Sequence, residues 1–194
     1  MFYDIETAKP RCSLLSLTTD RLRLSVLKKS EARRVGDYLR RNREFHQEFS
    51  QTHDDAYFTD SMQKGYLEFD AMSFKDGRLV PLWITLKDSD VIIGRVSFFN
   101  LAYGGMMNCA AGYHLDKDHT GQGYMTEALR AGCQFMFREY KMHRVEAFIL
   151  PENERSIALV NRLGFTYEGK RISYMHINGA YRDHEAFYLL SDAL

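Results

Sequence analysis

The sequence predicts a single α/β domain with a mixed, mostly antiparallel sheet of about seven strands and helices on both faces. Three observations predict it. Runs rich in β-branched and aromatic residues, or alternating polar with apolar, occur at 21–27, 80–87, 91–99, 109–115 and 144–150, and two more flank Asn178-Gly179. Segments with apolar residues at helical spacing interrupt them, and nothing repeats internally. The chain is 194 residues long and nearly half apolar, which suits one core of ordinary domain size spanning 1–194.

Taken in order, a mixed leader over 1–17 precedes Arg21-Leu22-Arg23-Leu24-Ser25-Val26-Leu27, whose alternation predicts a half-buried first strand. Ser30 can cap the following helix, which carries Ala32, Val35, Tyr38 and Leu39 at helical spacing. Residues 42–59 read as loop. A second helix is predicted from about 59 to 72, with Met62, Tyr66, Leu67 and Phe69 on its inner side, ending before Asp76-Gly77. Asp88-Ser89-Asp90 joins strands 80–87 and 91–99 into an antiparallel hairpin, and Gly104-Gly105 precedes strand 109–115. The next helix, over about 121–140, places Met125, Ala128, Leu129, Gly132, Phe135, Met136 and Tyr140 on one side. Strand 144–150, a helix over about 153–163 and the Asn178-Gly179 hairpin complete the chain.

Several function classes drop out at this stage. Lys plus Arg, 26, equals Asp plus Glu, 26, so no overall positive field draws in nucleic acid, and no direct nucleic-acid binding is expected. Apolar runs fall far short of the roughly 20 residues needed to cross a bilayer, so no membrane role is expected. Cys12, Cys109 and Cys133 form no CxxC pair, and no leader of signal-peptide form opens the sequence, which points to a reducing cytoplasm. No Cys/His spacing makes a zinc site, and no metal is expected. The sequence leaves monomer and homodimer both open.

The segment with most chemistry is Asp116-Lys117-Asp118-His119-Thr120-Gly121-Gln122-Gly123-Tyr124-Met125, between a strand and a helix. Two glycines there let backbone approach a ligand closely. The free N–H groups of the helix's first turn, with its dipole, suit a pyrophosphate. No third glycine completes GxGxxG, and no Gly-Lys-Ser/Thr completes a P-loop. Taken alone, the turn fits a tight connection without ligand equally well.

Together with other segments, it carries a family resemblance. The sequence resembles the GCN5-related N-acetyltransferase (GNAT) superfamily, whose pyrophosphate loop has the form Arg/Gln-x-x-Gly-x-Gly/Ala. Here Gly123 keeps the central glycine, while Thr120 and Met125 depart from the form. Pro151-Glu152-Asn153-Glu154-Arg155-Ser156, Asn161-Arg162-Leu163-Gly164-Phe165 and Tyr181-Arg182-Asp183-His184 resemble the Rim-type branch, the ribosomal-protein-alanine N-acetyltransferases. Thr18-Thr19-Asp20-Arg21-Leu22, Asn42-Arg43-Glu44-Phe45 and Ile93-Gly94 extend the likeness over most of the chain.

The resemblance implies a sheet split where acetyl-CoA enters and a cofactor-binding core at about 91–165. It implies cofactor contacts from Tyr113, His114 and Leu115 on the strand, from Thr120, Gly121, Gln122, Gly123, Tyr124, Met125 and Thr126 on the turn, and from Asn153, Ser156, Asn161 and Arg162 beyond. The reaction implied is transfer of the acetyl group of acetyl-CoA to an amine, the N-terminal alanine of a ribosomal protein, by direct attack in a ternary complex. Many relatives protonate the leaving thiolate with a tyrosine where this chain has Val160; Ser156 is the acid the branch offers instead. Ser156 and Asn153 also read as ordinary helix-start residues.

Strand 108–114 lacks the carboxylate base of lysine-directed relatives. An α-amino group with pKa about 7.7–8.0 is on the order of 10% neutral at pH 7, whereas a lysine at about 10.4 is almost wholly charged, so an N-terminus suits a site without a strong base. His114 reads either as a proton relay or as a hydrogen-bonded strand histidine, and Glu127 as a residue that complements the helix dipole. The 181–184 run reads as a structural brace or an acceptor contact, and 42–58 as an exposed connection or a lid over the acceptor. Two further readings stand beside the main one: a small-amine acetyltransferase, given an acidic cleft from Glu44, Glu48, Asp54 and Asp55, and an acetyl-CoA sensor without turnover.

Overall fold

The computed structural model describes residues 15–193; most of the leader, with Cys12, lies outside the described residues. Strands β1 (Ser16–Thr18) and β2 (Leu22–Ser25) lead to helices α1 (Ala32–Arg41), α2 (Arg43–Gln47) and α3 (Asp60–Lys75). Then come β3 (Val80–Leu86), β4 (Ile92–Ala102) and β5 (Asn108–Leu115), followed by α4 (Tyr124–Glu139), β6 (Arg144–Ile149) and α5 (Glu154–Arg162). The hairpin β7 (Thr166–Ile177) and β8 (Ala180–Leu190) closes the chain. The strands form one eight-stranded sheet in the order β1-β2-β3-β4-β5-β6-β8-β7, antiparallel throughout except between β5 and β6. The strand beyond the predicted seven is the short edge strand β1, against β2.

Alternation along β3 assigns the two faces. Val80, Leu82 and Ile84 join Leu129, Cys133 and Met136 of α4 in the larger core, while Trp83 points the other way, to Val35, Tyr38 and Leu39 of α1 and Leu67 of α3. Both faces of this central strand are thus covered, which explains its near-continuous apolar run. At the far edge, Asn178 and Gly179 both have positive φ (49° and 86°), the backbone of the tight hairpin turn that Asn-Gly favours.

Two segments differ from the sequence-based expectation. Within 42–59, α2 and a 3₁₀ turn at Asp55–Phe58 replace simple loop; both are too short for hydrophobic periodicity to register. Asp54 accepts a hydrogen bond from the Tyr57 N–H and starts that turn. Helix α3 is rotated relative to the expected face. Its inner stripe is Gln63, Leu67, Asp70 and Phe74, whereas Met62, Tyr66 and Phe69 are 43%, 44% and 57% exposed. Polar pairing decides this orientation: Asp70 meets the Arg95 guanidinium at 2.9 Å, and Gln63 donates to the Tyr57 carbonyl at 2.5 Å.

The observed rotation makes a prediction opposite to the apolar pattern. Leu67→Ala should cost about 2–5 kcal/mol in urea unfolding, while Phe69→Ser should stay within about 0.5 kcal/mol of the parent. The reverse order would mean that α3 packs through the other face.

Candidate active site

The site begins where β5 and β6 part. They pair only from Asn108↔Arg144 to Ala110↔Glu146, after which β5 continues to Leu115 with β4 alone beside it. The Asp116 N–H donates to the Ile93 carbonyl at 2.7 Å, and hydrogen-bonding direction alternates along an antiparallel ladder. His114 therefore turns its backbone groups toward Arg95 on β4, while Tyr113 and Leu115 turn theirs to the open side. The strand contacts expected from Tyr113 and Leu115 thus face the cleft, where the Leu115 carbonyl already meets His46 Nε2 at 2.8 Å. His114 reaches the cleft only as a side chain.

That side chain is held in an aromatic cluster. Tyr38 Oη lies 2.6 Å from His114 Nδ1, the two rings stack 5.5 Å apart, and Trp83 meets the histidine edge-on. Desolvation, with smaller contributions from His46 and Arg95, holds the His114 pKa well below the ordinary range, so the ring is neutral at pH 7. This is the hydrogen-bonded strand histidine rather than a free relay.

At the turn, Gly121 and Gly123 both have left-handed φ (74° and 78°), which a side chain would strain. No side chain caps α4 at Gly123, so first-turn N–H groups remain for an anion. Thr120 Oγ donates to the Lys117 carbonyl and Gln122 Nε2 to the Asp118 carbonyl, so both side chains shape the turn itself. Glu127 is occupied elsewhere: it accepts from Thr19 Oγ at 2.6 Å, the Arg21 N–H at 2.9 Å and Arg21 Nε at 2.6 Å. Desolvation raises its pKa, but these donors outweigh it and hold the carboxylate below its usual range.

Arg21 is a basic group that the sequence reading did not place here. Its Nη1 donates to the Gln122 carbonyl and its guanidinium lies 4.5 Å from the Tyr124 ring centre. With Arg130 and Arg162 it lines a hollow beside the turn, whose wall also holds Asp20 and its own partner Glu127. Arg21 and Gln122 are too far apart in sequence for any local motif to join them.

Across the opening, Asn153 Oδ1 accepts the Ser156 N–H at 3.1 Å and starts α5. Ser156 lines the cleft wall, while Val160 is wholly buried in the core. The cleft between β5, the turn and α5 holds about 550 Å³. It brings together Tyr113, His114, Leu115, Thr120, Gly121, Gly123, Tyr124, Met125, Thr126, Asn153, Ser156 and Arg162; Gln122 and Asn161 do not line it. Phe45, His46, Phe49 and Ser50 do, although 42–59 carried no pattern that distinguished them from other loop residues.

This last wall is held by Asp116, whose carboxylate accepts from Arg41 Nε (2.6 Å), Asn42 Nδ2 (3.0 Å) and the Asp118 N–H (3.0 Å). Asn42 Oδ1 in turn accepts the Lys117 N–H at 2.9 Å. Burial alone would raise the Asp116 pKa, but these hydrogen bonds, from Asn42 first, bring it down to about 2. Within the 181–184 run, Arg182 pairs with Glu152, Asp183 accepts the Ser173 N–H, and His184 is buried against the Arg182 carbonyl, so this segment braces the hairpin. Burial pushes the Cys109 thiol up to about 12, with the Glu146 carboxylate adding to the effect, so it is no nucleophile near neutral pH. Among the described residues no group of three or more side chains could hold a metal, and no helix is long and apolar enough to cross a membrane.

A splayed parallel strand pair with a glycine turn at its mouth agrees with what sequence comparison finds. Residues 21–166 match the acetyltransferase (GNAT) domain family. The chain belongs to that family. It is an N-acetyltransferase, an acyltransferase with acetyl-CoA as its cosubstrate. The chain is 34% identical to the [ribosomal protein uS5]-alanine N-acetyltransferase of Escherichia coli over 168 residues, 87% of each chain. The structure of ribosomal-protein-S5-alanine acetyltransferase from Vibrio fischeri superimposes with a TM-score of 0.87 at 29% identity, covering 92% of this chain and 97% of that one. Mycobacterium smegmatis RimJ in complex with CoA-disulfide shares the fold, with a TM-score of 0.85 at 23% identity over 89% and 83% of the two chains.

Asp116 should leave a pH signature. Its carboxylate titrates at about 2 in the fold against 3.8 unperturbed, so its stabilisation is complete above about pH 4 and is lost as pH falls toward 2. Between pH 5 and 2 the unfolding free energy of the parent should fall by roughly 2 kcal/mol more than that of Asp116→Asn. Parallel pH curves for the two proteins would show that the network stores no such energy.

Proposed function

We propose that the chain acetylates the α-amino group of a protein N-terminus, with the terminal alanine of a ribosomal protein as acceptor, by direct attack within a ternary complex. The observation that carries this reading is that, among the described residues, no carboxylate lines the cleft. Glu44, Glu48, Asp54 and Asp55 are exposed and none lines it, so the acidic acceptor site that a polyamine or aminoglycoside calls for is not built here. A lysine side chain would also need a stronger base than this wall offers, whereas an α-amino group is already partly neutral at pH 7. Identity of 34% to an enzyme named for alanine acetylation on uS5 supports the same acceptor.

In this reading the diphosphate of acetyl-CoA sits on the first-turn N–H groups of α4, with Gly121 and Gly123 allowing close approach. Arg21, Arg130 and Arg162 supply positive charge beside it. The pantetheine arm continues the sheet along the backbone groups of Tyr113 and the Leu115 N–H, which no strand pairs. The amine nitrogen attacks the thioester carbonyl, the C–S bond breaks, and Ser156 donates its hydroxyl proton to the departing thiolate. Cys109 takes no part.

Coenzyme A thiol release and mass spectrometry with an alanine-initiated peptide, spermidine and an aminoglycoside test the acceptor. Peptide turnover with little small-amine turnover is expected; the reverse would overturn the N-terminal reading, and tight cofactor binding without release from any amine would favour a sensor. Ser156→Ala should lower kcat by about 10²-fold with little change in the KM for acetyl-CoA, while Cys109→Ala should keep most of the activity. An unchanged kcat across pH in Ser156→Ala would remove the serine from the mechanism.

A further inference from the structure

The cleft as described has an acid but no group to take the proton that the attacking amine must lose. His46 is placed to take it. It sits on α2, at the wall that hydrogen bonds to Asp116 press against the end of β5. Its Nε2 lies 2.8 Å from the carbonyl oxygen of Leu115, on the side of β5 that has no partner strand. A carbonyl oxygen can only accept, so Nε2 must carry the hydrogen. The neutral ring then has its lone pair on Nδ1. That atom has no hydrogen-bond partner among the described residues, and the residue is only partly buried and lines the same cleft as Ser156. The strand edge proposed to hold the pantetheine thus also fixes the tautomer of an imidazole next to it.

The charged surroundings separate His46 from its neighbour His114, whose ring centre is 5.0 Å away. Desolvation lowers the His46 pKa from its ordinary value, while the Leu115 carbonyl and the Asp116 carboxylate favour its protonated form. His114 has no such support; Arg95 and His46 itself disfavour its charge, and Tyr38 occupies its Nδ1. The other groups packed nearby are the Arg41 guanidinium, held by Asp116, and Arg155 of α5, whose guanidinium lies 5.6 Å from the Phe45 ring centre. Of the two imidazoles, His46 is the one whose protonated form has a carboxylate to stabilise it.

We infer that His46 is the general base of the reaction, accepting on Nδ1 the proton that the acceptor nitrogen sheds as its bond to the acetyl carbon forms. The C–N bond forms and the C–S bond breaks. Ser156 protonates the thiolate and, through solvent, regains the proton that His46 took, so amine and thioester give amide and thiol. This rests on the cleft being read as the acetyl-transfer site; it does not rest on which amine is the acceptor.

His46→Gln separates a base from a positioning residue, because glutamine can still donate to the Leu115 carbonyl but cannot take a proton. With whichever amine the parent protein turns over, kcat/KM should fall about 10²-fold or more. On the acid side, the slope of log(kcat/KM) against pH should drop from two to one, since both the amine and His46 must be unprotonated in the parent and only the amine in the variant. Activity within a few-fold of the parent and an unchanged acid limb would overturn the assignment. A second measurement needs no variant and no turnover: ¹⁵N spectra of the parent at pH 7 should show His46 neutral with hydrogen on Nε2. An Nδ1–H tautomer or an imidazolium there would overturn it equally. Loss of activity toward peptides alone would bear on the acceptor and leave the His46 result to be read with another amine.

Discussion

The organising constraint is the bare edge of β5. Backbone N–H and C=O groups in a protein interior need partners, and an open strand edge invites a further strand. By turning β6 away after Ala110, the sheet leaves the groups of Tyr113 and Leu115 facing a cleft rather than a neighbour. One of them, the Leu115 carbonyl, is met by His46. The remainder face a slot that an extended, amide-bearing arm can complete. Helix α4 packs Leu129 and Cys133 beneath the same strands and points its uncapped start at the mouth of that slot. On the proposed reading, phosphate and thioester would occupy two ends of one gap in the hydrogen-bond ladder.

The walls of the gap are held by polar contacts that link distant parts of the chain. Asp116 fixes the end of β5 to Arg41 and Asn42, which sets the start of α2. At the other end of α2, Asn178 in the β7–β8 turn donates to the Gln47 carbonyl and accepts from the Gln47 side chain, each at 3.1 Å. The segment carrying Phe45, His46 and Phe49 is thus tied at both ends across the cleft. On the opposite side, Glu127 binds Thr19 and Arg21, so the N-terminal strands steady the glycine turn. Both walls of the cleft are thus braced by residues far away in the chain.

Local chemistry was legible in the sequence, and long-range polar choices were not. The Asn178-Gly179 hairpin, the glycine turn and the Asn153 cap depend on a few adjacent residues, so residue type alone located them. The resemblance carried by Asn153-Ser156 and Leu163-Gly164-Phe165 supplied the family. By contrast, α3 exposes Met62 and Phe69 because Asp70 turns inward to Arg95, a partner 25 residues away. Arg21 reaches the turn across 101 residues, and His46 acquires meaning only when its ring meets a carbonyl 69 residues further on. A hydrophobic pattern records which side chains avoid water, but not which polar groups will be buried in pairs.

The reach of family likeness and the reach of the folded unit also differ. The span matched to the acetyltransferase domain family runs from 21 to 166, yet Thr19, which donates to Glu127, precedes it. Strand β8, paired with β6 from Arg144 to Ile149, lies beyond it. A fragment trimmed to the matched span would lose that donor and leave β6 with a second bare edge, one that no substrate is shaped to cover. The bounds of the folded unit follow from the order of strands in the sheet, not from the ends of the matched span.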